Sequence, residues 1–287
     1  MLLLAAVARP GQAEAASVDH GLRAEAAGEA AMVAEICARL GVPHSTLNVE
    51  WSTKPTTGLQ QRARQERYRL LDRWADERGL PAMATAHHLD DQAETLMMRV
   101  NRGAGARGLA GMRACSTLPV PGSTVKLLRP LLSWRRAELE QICVSAGLEP
   151  AQDPSNSDEQ FERVRMRRAL AEAAWLDAEA VGRSAFHLAE ADCALDWATD
   201  REWTSQVRQA DGEIEYRPSA PAEIRRRVVS RALANLANEG EGEALRGREL
   251  DRLIATLSKG ETATLRGVLC SGGAIWRFST APPRRVA

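Results

Sequence analysis

Strand and helix patterns alternate without a break over the first hundred residues, and that alternation constrains the fold more than any other feature of the chain. Glu14–Asp19 reads as a strand. Glu25–Leu40 repeats Ala30, Val33, Ala34, Cys37 and Leu40 at helical spacing and stops at Gly41. His44–Trp51 alternates as a strand does. Gly58–Arg78 carries Tyr68, Leu71, Trp74 and Ala75 on one helical face. Ala82–Ala86 is a short strand that runs straight into a helix over Leu89–Asn101. The pattern predicts an α/β fold, a parallel sheet covered by helices. Such sheets bind ligands beyond the carboxyl ends of their strands. Val18-Asp19-His20 and Thr85-Ala86-His87-His88 lie at such ends.

The pattern then changes. After a Gly-rich loop at Gly103–Gly111, Arg113–Leu128 reads as a hairpin around Pro121-Gly122. Ser133 is the expected cap of a helix that stops at Gly147. Asp153-Pro154-Ser155-Asn156 is a turn. The chain is mostly helical from Glu159 to Val207, with further helices over Ala222–Asn238 and Glu243–Ser258. Thr262–Cys270 and Ala274–Thr280 form a closing hairpin across Ser271-Gly272-Gly273. That tripeptide has the composition of a phosphate loop but no helix after it, and a helix N-terminus is what makes such a loop bind phosphate. The length, 287 residues, suits about two domains. The expected boundary near residue 171 gives a catalytic domain over 1–170 and a smaller, mostly helical domain over 171–287.

Global charge names no partner, since 38 basic residues balance 38 acidic ones. Only Lys54, Lys126 and Lys259 are lysines; a GC-rich genome gives the same arginine bias. No apolar run approaches the roughly 20 residues of a membrane-spanning helix. Leu2–Ala8 has no Lys or Arg before it and is cut short by Arg9-Pro10-Gly11, so it reads as a helix end rather than a secretory signal. The five cysteines stand singly without a CxxC pair. They suggest neither a zinc site nor a dithiol, and they fit a reducing, cytoplasmic setting.

Three constellations could carry chemistry. In His87–Thr95 a strand end leads into a helix with three acids. Asp91 and Glu94 share a face at i, i+3, and Asp90 and Glu94 at i, i+4. Carboxylates gathered there can hold a magnesium ion or a substrate amine. Acids in a first turn also simply complement the helix dipole, which accounts for Asp90 and Asp91 but not for the paired histidines. Arg62, Arg64, Arg67 and Arg69 on one helix are a solvated basic face or an anion-binding one. Eight basic and no acidic residues between Thr95 and Ala137, then Arg163, Arg165, Arg167 and Arg168 within six positions, are set up for phosphate-backbone contacts. Neighbouring acids such as Glu138, Glu140 and Glu162 could equally neutralise them.

The motifs occur in a telling order: Val18-Asp19-His20-Gly21-Leu22-Arg23; Ala63-Arg64-Gln65-Glu66-Arg67-Tyr68; His88-Leu89-Asp90-Asp91-Gln92-Ala93-Glu94-Thr95; Arg102-Gly103 with Gly108-Leu109-Ala110-Gly111-Met112; Leu128-Arg129-Pro130-Leu131-Leu132; and Asp153-Pro154-Ser155-Asn156 with Arg163–Arg168. Together they resemble the bacterial tRNA(Ile)-lysidine synthetase family over about residues 1–170, with a weaker likeness at Thr264–Leu269 and Trp276-Arg277-Phe278. The resemblance implies an ATP-pyrophosphatase fold of the adenine-nucleotide hydrolase type. It implies that ATP adenylates the C2 oxygen of the wobble cytidine of an isoleucine tRNA with a CAU anticodon, and that free lysine then attacks C2 and releases AMP. By motif position it implies that Asp91 and Glu94 serve lysine and metal, with Asp90 and Asp91 on Mg2+. His88, Asp19 and His20 would line the ATP pocket, and Arg64 and Arg67 would meet phosphates or the target base. Arg163, Arg165 and Arg167 would grip the anticodon stem-loop.

The sequence departs from the family at one point. No Ser-Gly-Gly-x-Asp-Ser phosphate loop precedes Asp19. Leu2–Ala8 is expected to be the helix that follows that loop, so Met1 is expected to lie just past the motif and its strand. The rival expectations are another tRNA-modifying enzyme of the same nucleotide fold, such as a thiolase, and an inactive tRNA-binding remnant.

Overall fold

Strand β1 (Ala15–Asp19) pairs in parallel with β2 (His44–Asn48), Ala15 opposite His44 and Asp19 opposite Asn48. Parallel neighbours need a crossover, and α2 (Glu25–Leu40) provides it. The structure, a computed structural model, describes residues 1–22, 25–51, 58–148, 158–236 and 247–282. The expected turn at Asp153–Asn156 lies outside these residues, as does Arg23 of the first motif. A second sheet has the order β3-β5-β4: β3 (Ala82–Ala84) is parallel to β5 (Lys126–Leu128), and β4 (Cys115–Thr117) is antiparallel to it. Among the described residues β1 and β3 are not hydrogen-bonded to each other.

Helix α3 (Leu59–Glu77) serves both sheets. Its Tyr68, Trp74 and Ala75 are buried with Leu118, Val125 and Leu127, and Ala16, Leu47 and Met83 pack against that cluster. The short helix α1 (Leu2–Ala8) lies against α2. The ladders aim the strand ends at one region. Val49 N–H donates to Asp19 O at 2.8 Å, and Thr85 N–H to Leu128 O at 2.9 Å.

The chain divides into two compact units, Met1–Asn101 with Gly111–Ala185, and Arg102–Ala110 with Phe186–Ala287. The division falls inside the 29-residue helix α8 (Ala178–Gln206), beyond the boundary expected near residue 171. The first unit also holds α4 (Leu89–Asn101), α6 (Arg136–Ser145) and α7 (Glu162–Glu172). The start of α6 corrects the expected cap at Ser133: its N-cap is Arg135, whose N–H donates to Glu138 Oε2 at 2.7 Å.

In the second unit, part of the Gly-rich loop is the one-turn helix α5 (Ala106–Leu109). Helices α9 (Ala222–Leu236) and α10 (Gly247–Ser258) cover an antiparallel sheet of order β6-β7-β10-β9-β8. The strands are β6 (Val207–Ala210), β7 (Glu213–Tyr216), β8 (Thr262–Leu265), β9 (Val268–Ser271) and β10 (Trp276–Thr280). The expected closing hairpin is present, but Thr262–Cys270 is not one strand. It folds back at Arg266-Gly267, where both residues have positive φ, 50° and 69°. The core holds Tyr216, Val228, Leu257, Trp276 and Phe278. The Ser271-Gly272-Gly273 turn presses on α10, where a Cβ at Gly272 would meet Leu257 O at 2.2 Å. Close packing accounts for that glycine.

Candidate active site

Asp19 and His20 end β1, and His87 and His88 follow β3. Asp19 Oδ1 accepts the Gly21 N–H at 2.8 Å and so shapes the turn out of the sheet. Trp51 Nε1 donates to His20 O at 2.8 Å, and Arg67 Nη2 lies 3.3 Å from His20 Nε2. Burial lowers the His20 pKa and Arg67 lowers it further, while Asp19 opposes them. The ring is therefore held toward its neutral form.

Beside it lies a positive floor. Arg64, on the same helix as Arg67, stacks on the Tyr68 ring at 4.9 Å. Arg129 follows β5 and is buried; its Nη1 donates to Arg113 O at 2.8 Å and to Ser116 Oγ at 3.2 Å. Burial lowers its pKa, and the charge of Arg64 adds to the fall. His87 receives or gives a hydrogen bond with Thr85 Oγ1 at 2.8 Å. Its pKa is lowered chiefly by burial, with Arg129, Arg163 and Arg64 reinforcing and Asp91 opposing. His87 and Arg129 are the residues that sequence reasoning left out of the site. The signals were available: His87 sits beside His88, and Arg129 stands inside the Leu128–Leu132 motif at a strand's carboxyl end.

The acids of α4 divide into two roles. Asp90 serves α6: its Oδ2 accepts the Arg136 N–H at 2.7 Å, and its Oδ1 accepts Arg135 Nη2 at 3.1 Å. Burial works against its ionisation, but the Arg136 N–H and the Arg135 guanidinium together hold the carboxyl below its ordinary range. Asp91 caps its own helix, accepting the His88 N–H at 3.0 Å, and His88 Nδ1 accepts the Asp91 N–H at 3.3 Å. Asp91 and Glu94 also face α7, which packs on α4. Arg163 donates to Asp91 Oδ1 at 2.6 Å and Glu94 Oε2 at 2.7 Å, and Arg167 Nε donates to Glu94 Oε1 at 2.7 Å. The Glu94 side chain is 4% exposed. A buried carboxylate needs such partners.

The arginine block of α7 is thereby split. Arg163 and Arg167 turn inward to the acids. Arg165 is exposed and, among the described residues, bonds only the main-chain oxygens of Glu159 and Gln160. Arg168 pairs with Glu159 and Glu172. On the far side of Glu94 a cleft of about 380 Å³ is lined by Asp90, Ala93, Arg135, Arg167, Leu170, Leu176 and Asp177, among others. Its volume is at the small end of ligand clefts, which run from ~300 to 1,000 Å³.

The polar atoms at the strand ends suit a nucleotide's phosphates. Among the described residues His20 Nδ1 and Arg129 Nε are buried without a hydrogen-bond partner, and Arg64 and Arg67 are exposed beside them. The fit to a metal ion is poorer. Among the described residues no group of three or more His, Cys, Asp or Glu is arranged to hold one, and both oxygens of Asp90 are engaged with α6.

Residues 1–174 match the family model of the PP-loop domain. The tRNA(Ile)-lysidine synthase of Novosphingobium aromaticivorans is 48% identical over 287 residues, covering 99% of this chain and 86% of that protein. That of Zymomonas mobilis is 40% identical over 289 residues, covering 100% and 86%. Among solved structures, the U34-tRNA thiolase NcsA of Methanococcus maripaludis with its [4Fe-4S] cluster is similar with a TM-score of 0.53 at 16% identity, covering 67% of this chain and 66% of that one. At that identity the likeness is one of fold.

Proposed function

The chain belongs to the tRNA(Ile)-lysidine synthase family, and on that premise we propose how its residues divide the work of an ATP-dependent ligase that forms lysidine on tRNA. Arg64, Arg129 and Arg67, with the near-neutral His20 and His87, form the surface for the phosphates of ATP. Backbone and side-chain donors already fixed in place stabilise charge that develops on a phosphoryl group without reorganising. ATP supplies the adenylyl group that turns the C2 oxygen of the wobble cytidine of a CAU anticodon into a leaving group.

Free lysine is the second substrate, and Asp91 and Glu94 are the carboxylates that receive it. The observation that carries this reading is the Arg163 bridge: a cation donates to both acids at once, at 2.6 and 2.7 Å. An ammonium ion needs the same acceptors. In the adjoining cleft Ala93, Leu170 and Leu176 suit the lysine methylenes, and Arg135 and Arg167 suit its carboxylate. The amine must lose a proton before it attacks C2, and the Glu94 carboxylate is our candidate acceptor. Mg2+ keeps several waters and takes one or two carboxylates together with substrate phosphates. Both oxygens of Asp91, like those of Asp90, already accept hydrogen bonds, so neither residue is assigned to the ion. The reaction is assigned to the cytoplasm.

Calorimetric titration of the full chain with free lysine, in the presence of isoleucine tRNA and a non-hydrolysable ATP analogue, tests the reading. Lysine should bind with release of heat, norleucine should not, and Glu94→Gln should abolish the lysine signal. Equal binding of lysine by wild type and Glu94→Gln would overturn it.

A further inference from the structure

Trp197 projects from α8 with 63% of its surface exposed, the guanidinium of Arg201 lying 5.0 Å from its ring centroid. It lines one wall of an open cleft in the second unit. Arg201, Ser205, Ser219 and Pro221 also line the cleft, together with Glu202 and the buried Ile224. A tryptophan this exposed forgoes a large burial energy. No packing within its unit accounts for it, and Arg201 has no ion-pair partner among the described residues.

Glu202 at the cleft's edge is unevenly engaged. Its Oε1 accepts from Tyr216 OH at 2.9 Å, Ser219 Oγ at 3.2 Å, Ala220 N–H at 3.2 Å and Ser219 N–H at 3.4 Å. Its Oε2 has a single long contact, 3.5 Å to Ser219 Oγ. One oxygen therefore fixes the carboxylate against the β7–α9 connection and the other is left open. Arg225, next along α9 from Ile224, has its Nε buried without an acceptor among the described residues.

We propose that this cleft holds one unstacked nucleobase of the tRNA, stacked on the Trp197–Arg201 surface with its N–H edge donating to Glu202 Oε2. Unpaired RNA bases are recognised by stacking on aromatic rings or guanidinium planes and by hydrogen bonds to their edges. The cleft offers an aromatic face, an unpaired guanidinium, two hydroxyls and one open carboxylate oxygen. That set matches a base flanked by phosphates better than an apolar peptide. The inference rests on tRNA being the substrate, and it adds a contact outside the residues assigned to ATP and lysine.

The test is filter binding of an isoleucine tRNA transcript to the full chain and to its Trp197→Ala and Trp197→Phe variants, at fixed salt. Base–aromatic stacking is of the size that makes alanine substitution cost about tenfold in affinity. Trp197→Ala should raise the dissociation constant by about tenfold, Trp197→Phe should recover most of it, and calorimetric lysine binding should be unchanged. If the wild type binds tRNA and Trp197→Ala binds it equally well, the proposal is overturned. A change in oligomeric state on gel filtration with unaltered tRNA affinity also overturns it, by making the face a protein interface. Failure of the wild type to bind tRNA would instead fall on the functional reading itself.

Discussion

Arg163 donates through Nε to Glu94 Oε2 at 2.7 Å. The two residues stand 69 positions apart in the chain, and a second hydrogen bond of the same guanidinium reaches Asp91. The acid pair of α4 and the arginine block of α7 are thus two halves of one arrangement. A substrate ammonium entering this site must compete with, or displace, a cation that the protein already provides.

Glu94 is nearly buried and hydrogen-bonded to two guanidinium groups, so removing them should be costly. In Arg163→Ala/Arg167→Ala a nearly buried carboxylate loses its hydrogen-bonded cations, which should lower unfolding stability by about 1–3 kcal/mol. Adding Glu94→Gln should recover part of the loss, because contacting residues are not additive. Urea unfolding of these two variants and of Glu94→Gln alone measures the coupling. Strict additivity would mean that these contacts do not hold α7 to α4.

Asp90 completes the start of α6, whose N-cap is Arg135, by accepting the Arg136 N–H from α4. Asp90→Ala should cost about 0.5–2 kcal/mol, the usual range for a lost cap, and Asp90→Asn less. The depressed carboxyl pKa fixes the sign with pH. The stabilisation is fully present above the ordinary Asp pKa, near 3.9, and is lost as pH falls through the lower folded value. Thermal unfolding of wild type and Asp90→Asn between neutral and strongly acid pH should converge at the acid end. Parallel curves would remove Asp90 from the linkage.

His87 should titrate below the usual histidine range. Burial and three arginines oppose its protonation, so its contribution to stability is present above the unfolded pKa, near 6.5, and declines as pH falls below it. Imidazole NMR shifts report the titration directly. Inorganic pyrophosphate bound at Arg64 and Arg129 should move it upward, since an anion screens the charges that hold the ring neutral. A His87 resonance that ignores pyrophosphate would separate it from the phosphate surface.

Of the α7 arginines, Arg165 is the one expected on the tRNA backbone. It is exposed and has no carboxylate partner among the described residues, whereas Arg163 and Arg167 are committed to the acids. Arg165→Ala should weaken tRNA binding and reduce the salt slope by about one unit at most. Salt titrations of Arg165→Ala with unchanged slope would return this residue to a solvated face.

Much of the catalytic unit was legible in the chain. Apolar spacing marks α2, α3 and α4 closely, with Gly41 and Gly79 as stops for the first two, and the motif order points to the family. The partners of the acids were not legible, because which arginines meet Asp91 and Glu94 depends on how α7 packs on α4. Period and charge count cannot express that. The antiparallel sheet was under-read for another reason. Asp211-Gly212 and Arg266-Gly267 are tight turns with positive φ at both residues. An Asp-Gly pair between short alternating runs is a hairpin signal, but here it directly follows a 29-residue helix whose pattern runs into the first strand. Residue type favours Ser133 as the cap, but the α6 start is fixed by the Arg135–Glu138 pairing and by Asp90 from a different helix.

The central claim, that Asp91 and Glu94 receive the lysine that is ligated, is tested most directly by ATP-dependent incorporation of labelled lysine into an isoleucine tRNA transcript, titrated in lysine, with tRNA affinity measured on the same samples. For Glu94→Gln the account expects incorporation to fall by at least a hundredfold, the lower end of what a general acid–base group contributes, while tRNA affinity stays at the wild-type value. Near-wild-type incorporation by Glu94→Gln at saturating lysine would contradict it and leave the pair as no more than the anchor of α7.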